Sequence, residues 1–208
     1  MHALLLIDVQ NDFMPFGSLP VPEGDRVVPV ANNLAAHFKL VVATQDWHPA
    51  GHGSFASAHP GFSAGDVTDV GGVEQVLWPD HCVQNTPGAS FHSGLDVARI
   101  SHVVRKGTDP AIDSYSGFFD NGHRKDTGLA DFLAEARVDA VWIAGLATDY
   151  CVKFTALDAR ELGLAVTIVA DGCRGVDLNP GDVDRAAAEM EAAGCAIATS
   201  EDVCGDRG

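Results

Sequence analysis

The apolar positions of this chain fall into six short, unbroken runs: ALLLID (3–8), KLVVAT (39–44), SHVVRK (101–106), AVWIAGL (140–146), AVTIVAD (165–171) and CAIATS (195–200). They are continuous rather than alternating. A strand with one wet face alternates, whereas a continuous run of this length marks a strand buried on both faces, as in a parallel sheet. Between the runs the period becomes helical. Val27, Val30, Ala31, Leu34, Ala35 and Phe38 share one helical face, and residues 127–136 are helical by propensity. TDYCVKFTALDARELG (148–163) offers Thr148 or Asp149 as an N-cap and Gly163 as a stop. NPGDVDRAAAEMEAAG (179–194) opens on an Asn cap with Pro in the first helical position and closes on Gly. Strands alternating with helices predict an α/β fold. The expected architecture is one domain over residues 1–208, with a mostly parallel six-stranded sheet and helices on both faces. Residues 47–100 break the rhythm. They are rich in Gly, Pro, His and Ser, and read as long loops of the kind that carry function.

In an open α/β sheet, ligands bind beyond the carboxyl ends of the strands, so the residue that ends each run carries weight. The first run ends at Asp8 and the second just before Asp46. The third ends at Arg105-Lys106, and the fifth at Asp171. The fourth leads into GLATDYC, which places Cys151 in the first turn of the next helix. Free N–H groups at a helix start favour a thiolate, and Lys106 would push the same way. Asp8 is a candidate base for the thiol proton. An unpaired carboxylate at the end of an apolar strand would be costly, so a cationic partner such as Lys106 is expected. Asp46 and His48, two positions apart on an extended segment, share a face, and His81 is a distant third donor. An Asp/His/His set with open positions suits a catalytic Zn, Mn or Fe ion. His52 and Ser54 lie in the same HPAGHGSF loop.

Composition narrows the class. Of 208 residues, 46% are hydrophobic and 20% charged, and the formal charge is −16. That charge argues against a nucleic-acid-binding face or a polybasic membrane patch. The five cysteines are widely spaced and form no CxxC, which fits a reducing compartment. Cys82, Cys173, Cys195 and Cys204 read as small buried hydrophobes. The N-terminal MHALLLID lacks a basic region, and its apolar run is too short for a signal peptide. A cytoplasmic protein is expected, monomeric or homo-oligomeric, with a small-molecule substrate. No GxGxxG follows the first strand and no phosphate-binding GxxxxGK[ST] occurs.

The stretches LLLIDVQNDFMPFGSLPVPEGD, TQDWHPAGHGSFAS, WPDHCVQNTPGASFH, VVRKGTDPAIDSYSGFFDN and IAGLATDYCVKFTALDARELG occur in that order from residue 4 to about 163. Together they resemble the nicotinamidases (pyrazinamidases) of the isochorismatase-like cysteine hydrolase superfamily. The resemblance implies a catalytic set of Asp8, Lys106 and Cys151, and one divalent metal ion on Asp46, His48 and His81, with His52 and Ser54 competing for a further ligand position. It implies a cis Leu146–Ala147 peptide, with the N–H groups of Ala147 and Cys151 as oxyanion hole. It also implies a small aromatic pocket of Phe13, Trp78, Tyr115 and Ala147, in which the ring nitrogen of nicotinamide meets the metal. The reaction would pass through a Cys151 thioester to nicotinate and ammonia. The alternatives are another cysteine amidohydrolase of the superfamily, acting on a carbamoyl or ureido compound, and a non-catalytic metal-binding module.

Overall fold

The computed structural model describes residues 1–205. Its strands are β1 (His2–Ile7), β2 (Val41–Asp46), β3 (Val67–Val70), β4 (Val73–Val76), β5 (His102–Lys106), β6 (Ala140–Leu146), β7 (Ala165–Arg174) and β8 (Ala196–Ala198). Its α-helices are α1 (Val27–Ala35), α2 (Leu129–Glu135), α3 (Lys153–Glu161), α4 (Asp182–Ala192) and α5 (Ser200–Gly205). Six strands form one sheet in the order β5-β2-β1-β6-β7-β8, with every neighbouring pair parallel. The six apolar runs are those six strands.

Burial on both faces explains why the runs do not alternate. Leu4 and Leu6 of β1 pack with Val27, Ala31 and Leu34 of α1 and Val203 of α5. Ala3, Leu5 and Ile7 point the other way, onto Leu129 and Leu133 of α2, Ala156 and Ala159 of α3 and Met190 of α4. Each side of the sheet therefore carries its own core, and the central strands β1, β2 and β6 have no face left to solvent. At the centre β6 runs against β1 closely enough that Gly145 has no substitute. It sits at φ +131°, and a Cβ there would lie 2.1 Å from the Ile7 carbonyl oxygen.

Several boundaries differ from the sequence expectation. The second strand continues past Thr44 and takes in Asp46. β7 continues past Asp171 to Arg174. A π-helical turn, Thr148–Val152, precedes α3, and neither Thr148 nor Asp149 caps the helix through its side chain. Asp149 instead accepts the backbone N–H groups of Val176 and Asp177. α4 starts at Asp182 rather than Asn179, with Gly181 at the N-cap in the left-handed region. The capping roles are reversed: the Asp182 carboxylate accepts the Asn179 N–H. Within the stretch read as loops, β3 and β4 form an antiparallel hairpin that pairs Val70 with Val73 across Gly71-Gly72. A Gly-Gly pair between short β-branched segments is a hairpin signal, here hidden by the surrounding glycines.

Replacing Gly145 by Ala tests the central contact. The variant should lose more than about 3 kcal/mol and its melting temperature should fall by about 6–12 °C. Gly163, also at positive φ but with nothing within 4 Å of a Cβ, should cost only the left-handed strain of about 1–2 kcal/mol. Equal melting temperatures for the two alanine variants would contradict this packing.

Candidate active site

The chain passes from β1 to β2 on one side of the sheet and later enters β6 on the other side of β1. This reversal of strand order opens a crevice at the carboxyl ends of the central strands. Asp8 directly follows β1, Asp46 is the last residue of β2, and Lys106 is the last residue of β5. The β2–β5 register sets Asp46 directly beside Lys106. β6 leads through a cis Leu146–Ala147 peptide into the π-helical turn that carries Cys151. Thus Asp8, Asp46, Lys106 and Cys151 meet, although they come from four different strand ends.

Lys106 is the hub. Its Nζ lies 2.9 Å from Asp8 Oδ2 and 2.5 Å from Asp46 Oδ1. It also donates to the Ser114 carbonyl at 2.9 Å and to Cys151 Sγ at 3.3 Å. Asp8 is further fixed by Thr44, whose hydroxyl donates to Oδ1 at 2.6 Å. Burial would drive the ammonium toward neutrality, but the charges of Asp46, Asp8 and Cys151 outweigh it and hold the lysine well above its usual range. The same burial lifts the Asp8 carboxyl, with Asp46 adding to it against the pull of Lys106. At Asp46 burial is overcome by Lys106 and His48, and the group stays ionised well below the usual carboxylate range.

Cys151 overturns one expectation. Its place before a helix was expected to favour the thiolate. The thiol is buried instead, and burial together with Asp8 and Asp46 pushes it well above its usual range while Lys106 pulls down. The resting group is therefore a thiol beside a carboxylate with raised proton affinity. Asp171 also departs from its expected place at the crevice. Its carboxylate accepts the backbone N–H and hydroxyl of Ser200 at the start of α5.

The Asp46, His48 and His81 donor atoms lie within 4.8 Å of one another. Hydrogen bonds set the tautomers. A carbonyl only accepts, so His48 Nδ1, 3.0 Å from the Gly107 carbonyl, and His81 Nδ1, 2.8 Å from the Pro79 carbonyl, both carry protons. With Nδ1 turned to a carbonyl, each ring aims Nε2 at Asp46, 3.5 Å and 3.8 Å from Oδ2. His48 Nε2 is buried with no hydrogen-bond partner, the signature of a nitrogen awaiting a ligand. Two buried carboxylates, Asp8 and Asp46, contact one ammonium, a third, Asp113, lies 4.0 Å from His48 Nε2, and a divalent cation would balance this excess. The residues therefore fit a divalent metal. His52 does not offer a donor in this arrangement: its Nε2 bonds the Asp109 carbonyl and its Nδ1 accepts from the Ser54 hydroxyl. Of the two competing residues, Ser54 alone keeps lone pairs free.

A narrow cavity opens beside this cluster. Phe13, Trp78, Tyr115 and Ala147, the four pocket residues expected from sequence, line it together with Asp46, His81 and Cys151. Leu19, Asp113, Tyr150 and Val176 line it as well and were not expected. Tyr150 immediately precedes Cys151, and a neighbour of the thiol on a tight turn was a signal available in the sequence. Asp113, Leu19 and Val176 sit in loops whose course the sequence does not dictate.

Gly107 backs the metal cluster at φ +62°, where a Cβ would lie 2.4 Å from His48 Cε1. Gly107→Ala should displace the His48 ring and weaken divalent metal affinity by about 10–100-fold, measured by competition with a chelator. Unchanged affinity would show that His48 is not held there for a metal.

Comparison with known proteins agrees with this geometry. The family profile described as Isochorismatase domain matches residues 2–202. The chain is 51% identical over 205 residues to a nicotinamidase of Escherichia coli, covering 97% of this chain and 96% of the relative. A solved nicotinamidase/pyrazinamidase structure from Acinetobacter baumanii superposes with a TM-score of 0.94 at 42% identity, over 97% of both chains. The pyrazinamidase of Pyrococcus horikoshii, solved in complex with zinc, superposes with a TM-score of 0.78 at 40% identity, over 95% of this chain and 98% of that one. Cysteine, aspartate and lysine at the ends of parallel strands, beside an Asp/His/His cluster, thus occur in a chain that belongs to the isochorismatase family.

Proposed function

We propose that this protein is a nicotinamidase, which hydrolyses nicotinamide to nicotinate and ammonia and also accepts pyrazinamide, with residues 1–208 acting as one hydrolase domain. The observation that carries the reading is the joint presence of a buried Cys151–Lys106–Asp8 cluster and an aromatic cavity, open to the same thiol, whose wall includes two metal-type ligands. A carbamoyl or ureido substrate would need neither the Phe13 and Trp78 walls nor the Asp46/His48/His81 cluster. The curated E. coli relative carries the same activity in its name.

The mechanism follows from where protons and charges lie. The Asp8 carboxylate and the Cys151 Sγ are within 4.8 Å of each other. Asp8 takes the thiol proton as sulfur attacks the amide carbonyl carbon. Lys106, in contact with both groups, compensates the charge that moves from one to the other. The carbonyl oxygen gains negative charge and is received by the backbone N–H groups of Ala147 and Cys151. Asp8 then returns the proton to the amide nitrogen, the C–N bond breaks, and ammonia leaves. Water adds to the thioester, giving its proton to Asp8, and nicotinate departs as the thiol re-forms. Phe13, Trp78 and Tyr115 hold the ring by apolar contact and exclude bulk water. Asp46, His48 and His81 would hold a divalent ion, zinc, manganese and iron all suiting that donor set, and the chemistry it would supply is Lewis-acid attraction for the ring nitrogen.

No described helix is long and apolar enough to cross a membrane. A cytoplasmic protein acting on a free small molecule, without nucleic acid, is part of the same proposal.

The direct test is ammonia release from nicotinamide by purified, metal-replete protein. Turnover is expected, and its absence would sink the nicotinamidase reading. Cys151→Ala should lower the rate by about 10⁴-fold or more while the protein stays folded. Thorough chelation should raise KM steeply. Full activity after chelation would remove the metal from the reaction.

A further inference from the structure

The hairpin of β3 and β4 lies outside the main sheet, yet it sends one side chain to the back of the pocket. Gln75 is 2% exposed. Its amide protons go to the Val76 carbonyl at 2.7 Å and the Tyr115 hydroxyl oxygen at 2.8 Å, with Asp113 Oδ2 at 3.3 Å. Its oxygen accepts from Asn121 Nδ2 at 3.0 Å, and Asn121 Oδ1 accepts the Tyr115 backbone N–H at 2.8 Å. Gln75, Tyr115 and Asn121 therefore close a ring of hydrogen bonds that grips Tyr115 at both its hydroxyl and its backbone. The hydroxyl oxygen also accepts from Trp78 Nε1 at 3.1 Å, so two walls of the pocket meet at the atom Gln75 holds.

We propose that Gln75 is a positioning residue that sets the width of the substrate cavity by locking the Tyr115–Trp78 wall, so that the hairpin tunes which aromatic ring is accepted. The inference rests on the nicotinamidase reading for its substrate. Gln75 is not among the cavity-lining residues and contacts no group assigned to bond breaking. Among the described residues, Gln75 is the hydrogen-bond partner of the Tyr115 hydroxyl from the hairpin side. Without the amide, that hydroxyl would keep one partner, Trp78, and the wall would gain freedom that a bound ring must remove. Such a loss falls on ground-state and transition-state binding alike, so it appears in KM rather than kcat.

The experiment compares metal-replete wild type, Gln75→Met, Asn121→Ala, Tyr115→Phe and the Gln75→Met/Tyr115→Phe double variant. Steady-state kinetics are run on nicotinamide and on the wider quinoline-3-carboxamide. For Gln75→Met, KM for nicotinamide should rise roughly tenfold, one hydrogen bond's worth, with kcat within about threefold. Selectivity for nicotinamide over the wider amide should fall. In the Tyr115→Phe background, Gln75→Met should add less than about twofold, because the atom it acts on is gone. If Gln75→Met fails to fold, Asn121→Ala opens the same ring and should shift KM and selectivity in the same direction. Unchanged KM and selectivity, a fall in kcat at constant KM, or an undiminished effect in the Tyr115→Phe background would each overturn the proposal. Absence of wild-type turnover would instead overturn the nicotinamidase reading.

Discussion

A buried ammonium is the constraint on which the rest depends. Lys106 is 1% exposed, and a charge taken so far from water survives only with partners in direct contact. Those partners arrive because the sheet order is β5-β2-β1-β6. The register of β2 against β5 brings Asp46 alongside Lys106, Asp8 follows the end of β1 one strand further, and the turn after β6 brings Cys151. The parallel sheet is thus more than a scaffold for a site. Its strand order is what makes the lysine's burial tolerable, and the lysine in turn ties four strand ends into one polar cluster.

That cluster sorts its carboxylates by function. Asp8 and Asp46 both contact Lys106, yet their proton affinities move in opposite directions. Asp46 has Lys106 and also a hydrogen-bonding imidazole, His48, against it and stays ionised, as a metal ligand must. Asp8 has only Lys106 and a threonine hydroxyl against full burial, and its affinity for a proton rises. Two chemically identical side chains, brought close by neighbouring strands, thereby become a permanent anion and a proton acceptor. The imidazoles are sorted in the same way by their backbone partners. Carbonyl oxygens at Gly107 and Pro79 force His48 and His81 to turn lone pairs inward, while Asp109 and Ser54 occupy both nitrogens of His52.

The part of the fold legible in the sequence was the part governed by periodicity. Six continuous apolar runs marked the six parallel strands, most clearly at the central β1, β2 and β6, where burial on both sides leaves no solvent face. The order of those strands was not legible in the runs, and the meeting of Asp8 with Lys106 was expected only from the cost of an unpaired carboxylate at a strand end and from the resemblance of the motifs. Helix starts were less legible. Asn179-Pro180 looks like a cap and first turn, but the Asp182 carboxylate reaches back to Asn179 and the helix begins later. The hairpin was missed because four-residue strands on a partly exposed surface carry little hydrophobic signal. Its Gln75 was invisible for a deeper reason. A polar residue among polar residues is only recognised as buried once Tyr115, forty positions later, is known to lie against it.

The state of Cys151 shows why local reasoning about a nucleophile fails in a buried cluster. A helix start favours a thiolate only where the N–H groups reach the sulfur and the surroundings tolerate a charge. Here burial and two carboxylates disfavour the anion, and Lys106 is the main counterweight acting on the thiol. A free thiolate would place a third negative charge beside Asp8 and Asp46. A thiol that surrenders its proton to Asp8 leaves the negative charge of the pair unchanged and merely relocates it, with Lys106 in contact at both ends. Raised proton affinity at both partners is therefore no obstacle to reaction. It keeps the proton within the pair until a carbonyl carbon is present to accept the sulfur's electrons, and it leaves that proton on Asp8 for the departing nitrogen.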